Sequence, residues 1–357
     1  MNDQIAIPCV VMRGGTSRGP FFLARDLPAD AASRDAILLS VMGGGHDLGI
    51  DGIGGGNAVV NKVAIIGPGS VPGADVDYLF AQVRVREGIV DTSPNCGNML
   101  AAVGPFAIEA GLVTAAAERT HVRIHNVNTG KLIDATVATP RGRVTYEGEA
   151  QIDGVPGTAA PIELSFPNAA GARTGRLFPT GQATNGIDGI DVTCIDAAIP
   201  VMLVRAADLG CSGREAPADF TDSCFRARLE HLRIEAGRLM GFPNSAAMVI
   251  PKPVLIAPAS EATLNVRYFM PHECHSALAV TGAVAIATAC VTPGTIAAEM
   301  VGPLAPPVPI TLAHPSGQLV VRLEPGPVAR VQRTARRIFE GHVFARRSHL
   351  PPSVLAA

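Results

Sequence analysis

The sequence predicts an α+β protein of two pseudo-symmetric lobes, each a curled β-sheet around a central buried helix. Three observations point there. The two halves of the chain resemble each other in the same order, most patterned segments alternate as strands do, and two segments are apolar on nearly every helical face.

The internal likeness comes first. Asn95-Cys96-Gly97-Asn98-Met99-Leu100-Ala101-Ala102-Val103-Gly104 aligns with Glu273-Cys274-His275-Ser276-Ala277-Leu278-Ala279-Val280-Thr281-Gly282, setting Gly104 on Gly282 and Cys96 on Cys274. Lys62-Val63-Ala64-Ile65-Ile66 matches Lys252-Pro253-Val254-Leu255-Ile256, and 20–25 matches 200–205, in the same order. A duplication explains all three. Strands are expected at 5–12, 20–23, 63–66, 78–85, 122–124 and 132–137, where β-branched or alternating residues are bounded by Gly, Pro and Asp. One principal helix is expected in each half, at 99–110 and 277–290. Only Glu109 is charged in the first, and nothing is charged in the second. A helix without a polar face has to be wrapped by protein. The expected division is a first lobe over 1–185, with 344–357 returning to it, and a second over 186–343. Residues 156–179 close the first half, and Thr180 to Asn185 serves as the hinge. The six arginines between 330 and 347 read as a strand and helix with one solvated face.

Composition narrows the function. Of 357 residues 47% are hydrophobic and 17% charged, enough for a core in each lobe. A net charge of −2 offers no broad cationic surface for nucleic acid or anionic lipid. Aromatics are 4% with no Trp, a poor base-stacking platform. The longest uncharged apolar runs fall short of the roughly 20 residues of a membrane span, and the N-terminus lacks a secretory pattern. A cytoplasmic location is expected. The seven cysteines include no Cys-x-x-Cys pair, so neither a disulfide framework nor structural zinc is expected. The tightest ligand set, His272, Cys274 and His275, consists of near neighbours that rarely reach one metal, and no metal is assigned.

Two side chains stand out chemically. Cys96 sits at the start of a buried helix, after Pro94 and Asn95 and before Gly97. Backbone N–H groups there favour a thiolate or hold a carboxylate, and Gly97 lets a ligand approach closely. Cys274 occupies the matching place, with His275 where Gly97 stands. Lys62 stands out by scarcity, because only three lysines (Lys62, Lys131, Lys252) occur among 29 basic residues. An amine partly withdrawn from water can lose its proton, which a guanidinium does not. Glycine-rich loops at 13–19, 51–57 and 179–181 lack the phosphate-loop and dinucleotide patterns but suit carboxylates. Hydrolase motifs are missing.

Together these residues resemble a family. Met12-Arg13-Gly14-Gly15-Thr16-Ser17-Arg18-Gly19, Asp51-Gly52-Ile53-Gly54-Gly55, Lys62 to Ile66, Asp77 to Val83 and Asn95-Cys96-Gly97-Asn98 are similar to the 2-methylaconitate isomerase family, of diaminopimelate-epimerase-like fold. The likeness continues through Pro179-Thr180-Gly181, Asp191 to Asp196, Pro271-His272 and Thr334-Ala335-Arg336. Within the family, 75–83, 192–196 and 271–275 look closest to 4-oxalomesaconate tautomerases of the protocatechuate and gallate 4,5-cleavage pathway, and so to aromatic compound and lignin degradation.

The resemblance implies a cofactor-free 1,3-allylic proton shift on an unsaturated tricarboxylate, with Lys62 and Cys96 as the acid–base pair. The expected binding set is Arg13, Ser17, Gly54, Gly55, Asn95, Gly97, Asn98, Thr180, Gly181, His272, Cys274, His275 and Ser276, with Arg13 the leading cation for the dienolate. Family epimerases carry a second thiol before a Gly-Thr-Gly turn. Val280 stands at the comparable point here, which speaks against two-thiol racemisation. The competing readings are a 2-methylaconitate cis–trans isomerase and a carboxylate-binding protein without catalysis. The expected partner is the small-molecule substrate alone, with homodimerisation left open.

Overall fold

The computed structural model describes residues 3–270, 272–326 and 328–350, so Pro271 and the expected return of 351–357 lie outside the described residues. Two compact units result. Unit 1 takes the chain up to Ala150, Gly157–Glu163 and the residues from Arg333 onward; unit 2 takes Gln151–Pro156 and Leu164–Gln332.

Unit 1 holds β1 (Gln4–Gly14), β2 (Ser17–Leu23), β3 (Lys62–Pro68), β4 (Val76–Arg84), β5 (Ile89–Asp91), β6 (Arg119–Asn126) and β7 (Lys131–Ala138), with α1 (Ala31–Met42), α2 (Gly97–Leu100) and α3 (Val103–Glu109). β1 runs antiparallel to β2, β2 parallel to β3, β3 antiparallel to β4, β4 parallel to β6 and antiparallel to β5, and β6 antiparallel to β7. Period-two alternation sorts the residues. Phe22, Val63, Ile65, Ala81 and Val83 form one core with Ile37, Leu38, Val41 and Met42 of α1. On the opposite face α2 touches β1 and β2, while α3 touches β3, β6 and β7.

Unit 2 holds β8 (Ile162–Phe166), where the chain crosses from unit 1, then β9 (Asn185–Ile187), β10 (Ile190–Ala197), β11 (Ile199–Arg205), β12 (Lys252–Pro258), β13 (Leu264–Tyr268), β14 (Val308–His314), β15 (Gly317–Glu324) and β16 (Val328–Arg333). Its helices are α4 (Ser223–Leu239), α5 (Val280–Cys290) and α6 (Ile296–Val301). Along β10 to β15 successive pairs are antiparallel, parallel, antiparallel, parallel and antiparallel. That is the same order of senses as β1-β2-β3-β4-β6-β7, so the duplication read from sequence is present in the strand pairing. The last strand, β17 (Ala335–Arg346), belongs to unit 1 and pairs antiparallel with β1.

Several expectations shift. Each unit has a second substantial helix, α1 or α4. Asp30 caps α1 by accepting from Ser33 N–H at 2.8 Å, and Asp222 caps α4 through Cys224 and Phe225 N–H. The helix expected at 99–110 is broken into α2 and α3, because Pro105 has no N–H for the Ala101 carbonyl and its ring crowds that turn. In the second half 277–279 is not helical, and α5 begins at Val280. The chain crosses between units around 150–164 rather than at 185, and the return starts at Arg333 rather than 344, since all of β17 is zipped to β1. The supposed hinge, Thr180 to Asn185, lies within unit 2. The arginine-rich tail forms two strands and a 3-10 turn at Arg347–His349 with no α-helix, and Arg333 within it is buried. Among the described residues no helix is long and apolar enough to cross a membrane.

Arg233 of α4 is fully buried. Its guanidinium makes two 2.6 Å bonds to Glu230 and donates to the carbonyls of Ser245 at 2.8 Å and Ile250 at 3.3 Å. Truncating one partner of such a network strands the others, so Arg233→Ala should cost about 3 kcal/mol. Urea unfolding should show a lower midpoint with an unchanged slope; an unaltered midpoint would contradict this.

Candidate active site

Lys62 opens β3 with its side chain buried. The register places it opposite Gln82 of β4, with Ala64 opposite Phe80 and Ile66 opposite Tyr78. Tyr78, Phe80 and Gln82 therefore stand on one face of β4. Lys62 Nζ donates to Gln82 Oε1 at 3.2 Å and lies 5.3 Å from the centre of the Phe80 ring. Farther along that face the Tyr78 hydroxyl donates to the Cys96 carbonyl at 3.1 Å. One strand face thus supports both candidate acid–base residues. Burial, and then the neighbouring Cys96, push the Tyr78 phenol well above its ordinary range, so it remains a neutral donor.

Cys96 is the N-cap of α2, buried, with Sγ accepting from Met99 N–H at 3.5 Å. Gly97 and Asn98 follow, both buried. The β1–β2 hairpin covers them. Gly15, at φ +52°, would bring a Cβ to 2.1 Å from Asn98 Oδ1, and Thr16 N–H donates to that same oxygen at 3.4 Å. At Gly19 a Cβ would fall 1.7 Å from the Lys62 carbonyl oxygen and 3.4 Å from Met99 Cε. This short loop accordingly touches the Lys62 strand and the Cys96 helix at once, and only glycine fits at both contacts.

Ser17 and Gly19 share the face of Phe21, whose ring meets Phe106 of α3 at 5.6 Å. The hydroxyls of Ser17 and Thr16 are buried with no hydrogen-bond partner among the described residues. Buried hydroxyls without a partner are rare and suit a ligand's oxygens. Arg13 stands opposite Arg18, on the other face of the hairpin from Ser17. Its Nη1 donates to the carbonyls of Gly15 at 2.9 Å and Thr334 at 3.0 Å, and to Thr334 Oγ1 at 3.1 Å. Arg13 is thus a clamp for the loop through Nη1. Gly54 and Gly55 are pinned next to Lys62 by Asn61, whose Oδ1 accepts from Gly55 N–H at 2.7 Å and whose Nδ2 donates to Gly55 O at 2.5 Å. Asn95, half-buried, leads into the Cys96 cap.

The unit 2 candidates have other surroundings. Thr180 Oγ1 donates within its own turn, to Asn185 Oδ1 at 2.9 Å and Gln182 O at 3.1 Å, and Gly181 sits at φ +79° in that turn. His272 is exposed, 3.9 Å from Glu230 of α4. Cys274 packs against the α4-side core, and its thiol is pushed up to about 12 by burial, with Arg267 opposing and Glu215 reinforcing. It does not cap α5, whose N-cap is Ala279, so the sequence match to Cys96 is not a match in position. His275 is buried, with Nδ1 accepting from Ala277 N–H at 2.9 Å, and the Ser276 carbonyl accepts from the Ser316 hydroxyl. His272 and His275 therefore turn to different partners, and among the described residues no His, Cys, Asp and Glu cluster is arranged as a metal site.

The sequence model described as PrpF protein matches residues 4–346. The chain belongs to the PrpF family. A (4E)-oxalomesaconate Delta-isomerase of Novosphingobium sp. (strain KA1) is 45% identical over 94% of this chain and 97% of its own. YbhH of Escherichia coli (strain K12), named provisionally as an isomerase, is 55% identical over 95% of this chain and 99% of its own. A crystal structure of methylitaconate-delta-isomerase superposes with a TM-score of 0.80 at 35% identity, covering 98% of each chain. A hydroxyproline epimerase, 14% identical with a TM-score of 0.57 over 96% of this chain and 93% of its own, shares the fold alone. The chain is an isomerase of α+β epimerase-like fold, and the reading as a carboxylate binder without catalysis falls away.

Sequence reading of this PrpF-family chain did not single out Gln82, Tyr78, Asn61 or Thr16. Gln82 and Tyr78 are placed by the β3–β4 register, Asn61 by its bonds to Gly55 and Thr16 by its contact with Asn98, none of which is visible before the chain is folded. Burial also holds Cys194 and Cys290 at about 12, while Cys224 is exposed. Raised values keep these thiols protonated at neutral pH, so brief iodoacetamide treatment at pH 8 should modify Cys224 well before Cys194, Cys274 or Cys290. Peptide mass spectrometry reads the order; rapid labelling of Cys274 would contradict its placement.

Proposed function

We propose that this isomerase moves a proton along a 1,3-allylic system in 4-oxalomesaconate without a cofactor, using Lys62 and Cys96. The observation that carries the reading is the shared β4 face, which seats the Lys62 amine on Gln82 and the Cys96 turn on Tyr78. The relatives named for 4-oxalomesaconate, 45% identical, favour that substrate over 2-methylaconitate, whose named isomerase is 36% identical.

Lys62, as the free amine, takes the proton from the carbon next to the activating carbonyl, and the electron pair enters the dienolate. The Cys96 thiol returns a proton to the far carbon of the allyl unit as the double bond shifts. The thiolate and ammonium left behind re-equilibrate by proton transfer, directly or through water, before the next turnover. Backbone N–H groups of the Cys96 turn and the hydroxyls of Ser17 and Thr16 take substrate carboxylate oxygens, with Asn98 shaping that wall. Arg13 acts at one remove, by holding the loop. In unit 2, Thr180, His272, His275 and Ser276 remain candidates for carboxylate recognition, and a role in 4,5-cleavage of aromatic compounds follows from the substrate.

General acid–base groups contribute roughly 100- to 10,000-fold, so Lys62→Ala and Cys96→Ala should each lose turnover on about that scale. Wild-type protein in heavy water should incorporate deuterium into 4-oxalomesaconate with no metal or nicotinamide added. Ultraviolet assays of 4-oxalomesaconate beside 2-methylaconitate decide the substrate. Full rates in both variants would remove the mechanism, and faster turnover of 2-methylaconitate would transfer it to that acid.

A further inference from the structure

We infer that Gln82 is the positioning residue of Lys62, a neutral acceptor that holds the amine in place in either protonation state. The inference rests on the reading of Lys62 as the base.

The Gln82 amide has no freedom. Its Nε2 donates to the carbonyls of Ala58 at 3.1 Å and Asn61 at 2.8 Å, both in the turn that leads into β3. Those acceptors occupy its two N–H groups and fix which way the amide points, leaving Oε1 for Lys62 Nζ at 3.2 Å. The flanking Phe80 ring lies 5.3 Å from the nitrogen and closes one side. Lys62 makes no ion pair among the described residues. Around it stand Gly19 of β2 against its carbonyl, Asn61 before it, and Phe80 and Gln82 of β4 at the amine; the Tyr78 hydroxyl, on the same face of β4, reaches the Cys96 carbonyl. The carboxylate next in register is Asp91 of β5, opposite Gln82, and its Oδ1 accepts from Ser93 N–H at 2.8 Å.

A base needs an anchor that does not oppose its protonation cycle. A carboxylate at this point would favour the ammonium and hold the lysine charged. An amide oxygen accepts from –NH2 and –NH3+ alike. It fixes geometry and, although it binds the ammonium more strongly than the amine, it favours the charged form far less than a carboxylate would.

The test uses the full chain with 4-oxalomesaconate, following kcat and KM across pH for Gln82→Glu and Gln82→Met beside wild type and Lys62→Ala. Gln82→Glu is isosteric and should move the Lys62 limb of the profile upward by about one unit or more, since a carboxylate within reach shifts such groups by 1 to 3 units. Activity near pH 7 then falls about tenfold and returns at higher pH. Gln82→Met should lower kcat by at least about tenfold with KM nearly unchanged, the mark of a misplaced reacting group. Superimposable profiles for Gln82→Glu and wild type would overturn the inference, even if Gln82→Met failed to fold. Full activity of Lys62→Ala would sink the base assignment instead, and with it any positioning role for Gln82.

Discussion

Ten of the eleven residues of α5 are buried, and every residue of α2 with the first five of α3 is buried as well. Helices of that kind exist in water only if protein encloses them. In each unit a mixed sheet supplies one wall. That requirement explains why parallel pairs such as β2–β3 and β11–β12 occur at all, since parallel strands are found where both sheet faces are covered. In unit 1 the second cover is α1, in unit 2 α4, and each packs its own core against the far face. A sheet covered on both faces leaves its strand ends as the places where polar chemistry can reach the interior. Lys62 stands at such an end.

Alternation then divides the labour within β3 and β4. Val63, Ile65, Ala81 and Val83 face α1 and contribute only packing. Lys62, Tyr78, Phe80 and Gln82 face the other way, toward the candidate site. Because neighbouring residues point to opposite faces, the lysine is placed by the same register that builds the core, and a one-residue slip would send it into the α1 layer. The tight fit of Gly19 on the Lys62 carbonyl adds a second restraint on that register.

How much of this was legible in the sequence differs by element. The strands around Ile65, Tyr78, Val122 and Ile133 were readable because their alternation is local. Lys62 was readable from the scarcity of lysine, and Cys96 from the residues of a helix start. α1 and α4 are hard to read because their apolar faces are diluted by Ser, Arg, Asp and Glu, although Asp30 and Asp222 mark their starts. The break at 101–102 follows from Pro105, a local rule that the apolar run overshadowed. Gln82 and Asn61 could not be found, because their meaning lies in partners 20 and 6 residues away across a strand pair and a turn. Cys274 is the opposite case: neighbouring letters match those around Cys96, yet the backbone at 277–279 is not helical and the thiol goes to a different layer.

That last divergence bears on how the two halves of a duplicated fold come to differ in chemistry. Both halves keep a buried lysine at the head of the corresponding strand, Lys62 in β3 and Lys252 in β12, so the amine position was inherited by each. What surrounds it was not. In unit 1, β4 runs on to Gln82 and a capping turn with a thiol follows. In unit 2, β13 stops at Tyr268, and Phe269 and His275 turn back in a bridge and a buried ring that occupy the comparable length of chain. The amide anchor of Lys62 and the cap thiol thus occur in the same unit, whereas the register opposite Lys252 runs past the end of β13, and Ala279 rather than Cys274 caps α5. A proton transfer needs its partners held together more than it needs them duplicated, which is why the proposed chemistry is assigned to the unit that holds the Gln82-bonded amine and the cap thiol.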